Sequence, residues 1–189
     1  MHFPNFRVAL VASLLLVLAG CDSSTQAPQA AAESASAAPQ ASQSAPADPL
    51  QPRYASTLAE GIDFKRPGYP EFVTEVAGIS GAEGWGRWTD ANLAPNARIR
   101  FSQPLPQDFT LNLTVRDFFG INADKEVTVT VGDKKQTFVL ANGTDQSVQL
   151  AFSGVNGDTI EIAAPNSSEP TASDSRKMAI GLITLSIKG

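Results

Sequence analysis

The sequence predicts an all-β fold for residues 54–189, a two-sheet antiparallel β-sandwich or jelly roll. Three observations carry this. From residue 96 onward, apolar and polar residues alternate with a period of two, as in strands that bury one face and wet the other. Gly-Asp, Asn-Gly and Asn-Gly-Asp turn signals separate these runs at short intervals. Helical periodicity is nearly absent.

Taken in order, Ile62-Asp63-Phe64 starts as a strand and breaks at Pro67 and Pro70. Residues 69–76 leave room for one short helical turn. A glycine-rich stretch, residues 78–90, holds both tryptophans, Trp85 and Trp88, with Arg87 between them. Ala97-Arg98-Ile99-Arg100-Phe101 then alternates apolar and basic, and residues 109–116 alternate throughout. Val127, Val129 and Val131 alternate with threonines, and Gly132-Asp133 turns the chain into residues 136–140. Val148, Leu150 and Phe152 follow the Asn142-Gly143 turn, and Ile160 and Ile162 follow Asn156-Gly157-Asp158. Ile183, Leu185 and Ile187 close the chain.

The N-terminus has a different character. Arg7 precedes an apolar run over residues 8–18 that ends in Leu18-Ala19-Gly20-Cys21. A cationic start, a short apolar stretch and small residues before a cysteine make a secretion signal. The ending is similar to a bacterial lipobox, cut before Cys21 with lipid placed on its sulfur. The run is too short to span a bilayer, which needs roughly 20 residues. Residues 1–20 are thus expected to be a lipoprotein signal peptide, with Cys21 holding the protein on the membrane. Asp22 resembles an inner-membrane retention signal, so the expected location is the periplasmic face of the inner membrane, with the outer membrane as the alternative. Residues 21–53, rich in Ala, Ser, Gln and Pro, read as a disordered tether reaching roughly 30 Å on average. Asn-X-Ser/Thr triplets at Asn112, Asn142 and Asn166 are set aside, because the lipobox resemblance implies a bacterium.

Composition excludes several chemistries. The only histidine is His2, in the leader, and the only cysteine is Cys21. Residues 54–189 therefore offer no Ser-His-Asp triad, no Cys-His pair and no zinc site with nitrogen or sulfur ligands. No EF-hand-like loop is present, and no motif supports carboxylate-pair hydrolysis. No catalytic residue, cofactor or metal ligand is assigned. The formal net charge of −5 and the lack of any basic block argue against nucleic acid as a partner.

The candidate ligand contacts are Trp85, Arg87, Trp88 and Arg176. Strand alternation would put Trp85 and Arg87 on one face and Trp88 on the other. Trp85 with Arg87 then reads as a sugar platform; the competing reading packs one or both tryptophans as core. Arg87 alternatively clamps Asp90 or Glu83. Arg176 ends the polar loop 164–177, where the residues alone suggest a salt bridge to Asp174 or a sheet-edge charge. That loop is a functional rim or plain disorder. Phe118-Phe119 is core or binding rim.

Ile62-Asp63-Phe64, Tyr69-Pro70 with Phe72, Gly84-Trp85-Gly86-Arg87-Trp88 and residues 174–182 together resemble a known domain. It is the accessory C-terminal domain of bacterial phosphoglycerol transferases, enzymes that decorate osmoregulated periplasmic glucans. Similar Trp-Gly-Arg-Trp sandwiches accompany membrane glycosyltransferases. The resemblance implies a galactose-binding-domain-like sandwich and, at Arg176, contact with a phosphate or glucan hydroxyl. It also implies a stand-alone accessory module, because the membrane helices and the sulfatase-like catalytic domain of those enzymes are missing. The expected function is non-catalytic: binding a glycan or assisting a glycan-modifying enzyme. The alternative is a structural lipoprotein that docks on an envelope complex.

Overall fold

Alternation in the sequence becomes two facing sheets in the computed structural model, which describes residues 48–189. The leader, Cys21, Asp22 and most of the 21–53 segment lie outside the described residues. The front sheet is built on β7 (Phe109–Asp117), with β10 (Gln146–Phe152) on one side and β12 (Met178–Lys188) on the other. The outer edge of β12 is shared: β5 (Arg87–Asp90) pairs its first half and β2 (Ile62–Asp63) its second. The back sheet runs β4 (Val73–Ala77), β6 (Ala97–Phe101), β11 (Thr159–Ala163), β8 (Glu126–Val131) and β9 (Lys134–Val139). All pairings within these two sheets are antiparallel. A small parallel ribbon joins β1 (Arg53–Tyr54) to β3 (Tyr69–Pro70).

The core lies between the sheets, as predicted. Leu111, Leu113, Val115, Leu182 and Leu185 point inward from the front, and Ile99, Val127, Val129, Val131, Ile160 and Ile162 from the back. Each such side chain contributes about 1.5–3 kcal/mol when fully withdrawn from water. The intervening residues face solvent and pair with one another. Arg98 bonds Glu75 at 3.1 Å and Arg100 bonds Asp158 at 2.9 Å on the back, while Thr184 bonds Thr114 at 2.9 Å on the front.

Two local expectations change. Residues 69–76 hold no helical turn; they form β3 and β4, drawn into sheets by partners distant in sequence. The described residues also include contacts from upstream of residue 54. Leu50 packs against the core, and the Tyr69 N–H donates to the carbonyls of Leu50 and Pro52, each at 3.2 Å. Finally, β12 begins five residues before the alternation does. Met178 to Ile183 are all buried, because this end of the strand is covered on both faces. A bulge at Ile183 separates the two pairing registers with β7.

Candidate functional site

Residues 83–86 form a tight turn, in which the N–H of Glu83 donates to the Gly86 carbonyl (2.8 Å) and the N–H of Gly86 to that of Glu83 (3.1 Å). Trp85 therefore sits in the turn that feeds β5, and strand alternation does not extend back to it. Trp88 is the register partner of Gly181 on β12, which is itself the partner of Arg116 on β7. Trp88, Gly181 and Arg116 thus make one row across the outer face of the front sheet. Gly181 has no side chain to fill that row, and both indoles lie over it: a Cβ there would meet Trp85 Cη2 and Cζ3 at 2.6 Å.

An aromatic ridge results. The ring centroids of Trp85 and Trp88 are 4.5 Å apart, Trp88 meets Phe118 edge-on at 4.9 Å, and Phe118 meets Phe119 edge-on at 4.7 Å. The Arg116 guanidinium lies 4.9 Å from the Trp85 ring and is bonded to Asp145 at 2.7 Å. Phe119 is 90% exposed and holds φ of 49°, a left-handed conformation that is unusual for a bulky residue.

Two recesses flank the ridge. One, about 370 Å³, is lined by Trp85, Trp88, Phe118, Phe119 and, on its polar rim, Glu83, Glu169, Asp174 and Arg176. The other, about 450 Å³, shares Trp88 and Phe119 and adds Arg116, Asp117 and Gly143.

The polar rim is internally bonded. Arg176 gives Nε and Nη2 to Asp174 and Nη1 to Glu83 at 2.7 Å, while Glu83 accepts the Trp85 indole N–H at 2.9 Å. The Arg176 side-chain hydrogen bonds hold the Asp174 carboxyl at about 2, and the same partners push the guanidinium up. Behind the rim, the buried Asn122 fastens loop 164–177 to the Phe118–Phe119 turn. Its Nδ2 donates to the carbonyls of Asn166 (3.0 Å) and Ala179 (3.1 Å), and its Oδ1 accepts the Asn166 N–H at 3.0 Å.

Of the four candidates, Trp85, Trp88 and Arg176 come together here. Arg87 does not. It is buried on the opposite side of β5, donating to the carbonyls of Phe64 (3.4 Å), Arg66 (2.9 Å) and Gly68 (2.9 Å) with its guanidinium 4.4 Å from the Tyr69 ring. The expected shared face of Trp85 and Arg87 is therefore wrong, because the turn at Trp85 breaks the alternation. The expected clamp to Asp90 or Glu83 is wrong too. Asp90 instead accepts the backbone N–H groups of Asn92 and Lys177, each at 3.0 Å. Burial pushes the Tyr69 phenol up to about 12. Arg116, Gly181 and Asn122 escaped the sequence reading, since the first two depend on strand pairing and Asn122 on loop 164–177 folding back against it.

Residues 49–189 match the family described as "Domain of unknown function (DUF7024)". The chain belongs to this family. Among curated proteins, this DUF7024 chain is 32% identical over 137 residues to phosphoglycerol transferase I of Escherichia coli O139:H28. It is 33% identical over 134 residues to the phosphoglycerol transferase I of Citrobacter koseri. Each match covers 68% of this chain and 17% of the relative, so the chain spans about a sixth of the length of these relatives. The resemblance drawn from the sequence is thereby established for the DUF7024 segment. A solved structure described as BiXyn10A CBM1 APO aligns with a TM-score of 0.36 and 15% identity, covering 68% of this chain and 95% of that one.

Chemically, the DUF7024 site offers π faces and edges beside carboxylate acceptors and guanidinium donors. Such a surface suits a ligand with apolar C–H faces and hydroxyl edges. Among the described residues, no group of three or more His, Cys, Asp or Glu stands where it could hold a metal ion.

Proposed function

We propose that this chain is a non-catalytic periplasmic lipoprotein whose sandwich binds a glycan on the Trp85–Trp88–Phe118–Phe119 ridge and assists an enzyme that modifies envelope glycans. One observation carries the binding role: Phe119, almost fully exposed, is held at φ 49° beside a stack of three further aromatic rings. Displaying an aromatic in a left-handed conformation costs on the order of 1–3 kcal/mol, and a ligand that stacks on it gives that strain a purpose. Trp85, Trp88 and the two phenylalanines would meet sugar faces; Glu83, Asp174 and Arg176 would meet hydroxyls. Similarity to one segment of phosphoglycerol transferase I supports a place beside phosphoglycerol chemistry. The absence of His and Cys from residues 48–189 supports a non-catalytic role. The Leu18-Ala19-Gly20-Cys21 sequence supports the lipid anchor, and Asp22 supports the inner membrane.

The test is tryptophan fluorescence during titration with periplasmic glucans, plain and phosphoglycerol-substituted. A saturable shift is expected. Phe119→Gly, which relieves the left-handed strain, is expected to keep or raise the melting temperature while weakening binding. A flat titration, confirmed by calorimetry, overturns the glycan reading and leaves the ridge as a docking surface for an envelope protein. The anchor is tested separately: Cys21→Ala should abolish lipid labelling and release the protein, and Asp22→Ser should move it to the outer membrane.

A further inference from the structure

Charge around the ridge bears on what kind of glycan could sit there. In the recess beside Trp85, three carboxylates (Glu83, Glu169 and Asp174) line the rim with one guanidinium, Arg176. That guanidinium is already matched: Asp174 takes its Nε and Nη2, and Glu83 takes Nη1. In the second recess, Arg116 is matched by Asp145 at 2.7 Å, and Asp117 adds a buried carboxylate. Neither arginine brings uncompensated positive charge to an incoming ligand. At Arg176 an anion would have to displace a carboxylate from a held, bidentate arrangement; at Arg116, which makes a single bond from Nε to Asp145, it would meet a guanidinium whose charge is already compensated. A sugar hydroxyl, in contrast, can donate to the carboxylate lone pairs left free while its ring lies on the aromatic surface. Because Trp88 and Phe119 border both recesses, an occupant of the whole site must run across the ridge.

We infer that the ridge binds an uncharged saccharide chain of at least two rings, one on each side of Phe119, and discriminates against the same chain carrying phosphodiester or other anionic substituents. This rests on the glycan reading above. In functional terms, the module would hold the unsubstituted acceptor stretch of a glycan and let go of a stretch that has received anionic groups.

The experiment is calorimetric titration of the full-length protein with a neutral gluco-oligosaccharide and with the same oligosaccharide bearing phosphoglycerol groups, at low and high ionic strength. The neutral chain is expected to bind, and the substituted chain to bind roughly tenfold more weakly at low salt. The gap should narrow at high salt, where exposed charges are screened, and also in Glu169→Gln, which removes one rim charge. If the substituted chain binds as tightly as the neutral one or more tightly, the charge inference is overturned and the glycan reading stands. If neither chain binds, both fall.

Discussion

Replacing Gly181 by alanine should strip the aromatic ridge from the sheet while leaving the sandwich folded. A Cβ at this position would stand 2.6 Å from Trp85 Cη2 and Cζ3 and 3.1 Å from Trp88 Cζ3. Carbon atoms pack best at roughly 3.5–4.0 Å, so Trp85 must move by about 1 Å. It is not free to do so, because its indole N–H is bonded to Glu83, which is bonded in turn to Arg176. The neighbouring Ile180 and Leu182 point into the core on the other face and do not meet the new methyl group. Overpacking of this kind costs about 1–3 kcal/mol, which in a domain of this size lowers the melting temperature by roughly 3–10 °C. Three measurements follow: thermal melting, tryptophan emission and glycan titration. The expected result is a native far-ultraviolet spectrum, a modest loss of stability, red-shifted emission and weakened binding. Unchanged emission together with an unchanged melting temperature would refute the placement of the indoles over Gly181. Global unfolding would show that the ridge and the core are one cooperative unit.

Arg87→Ala should destabilise by on the order of 4 kcal/mol, since three carbonyls, two of them in buried bonds, lose a charged donor. Arg87→Lys should not rescue it, because one ammonium cannot reproduce the guanidinium fork; a urea melt that leaves either variant stable would sink the clamp. Asn122→Ala removes the bonds between loop 164–177, β12 and the Phe118–Phe119 turn. It is expected to cost about 2–3 kcal/mol, with hydrogen exchange rising first in residues 164–177. Asp174, held at about 2 against an ordinary 3.8, contributes stability that is present above the ordinary value. That contribution is lost as pH falls through about 2. Carboxyl NMR should place its midpoint there and return it toward 3.8 in Arg176→Ala; an unmoved midpoint would mean that Arg176 is not the cause.

Much of the sandwich was legible because strand alternation is a local property. Residues 109–116 declare one buried and one wet face by themselves, and β7 buries every second residue from Phe109 to Asp117. The beginning of β12 was illegible for the opposite reason. Met178-Ala179-Ile180-Gly181-Leu182-Ile183 shows no alternation because both faces are covered, by the core on one side and by the indoles and loop 164–177 on the other. β3 and β4 were hidden among prolines and a glycine, where pairing with distant strands outweighs weak local preference.

The candidate site divides in the same way. Composition alone removed histidine and cysteine chemistry from residues 54–189, because residue types need no coordinates; Trp85, Arg87 and Trp88 stood out in their glycine-rich stretch, and Arg176 was marked by the family resemblance. Strand pairing decided the rest. The turn over residues 83–86 puts Trp85 on the same side as Trp88, while Arg87 at the start of β5 points inward to three carbonyls. The floor of the ridge is a row formed by Trp88, Gly181 and Arg116, residues far apart in the chain that become neighbours only through the pairings of β12 with β5 and β7. Side-chain direction within one strand is set by the pleat and can be read locally; which side chains share a row across strands is set by register, and register exists only once the sheet has formed.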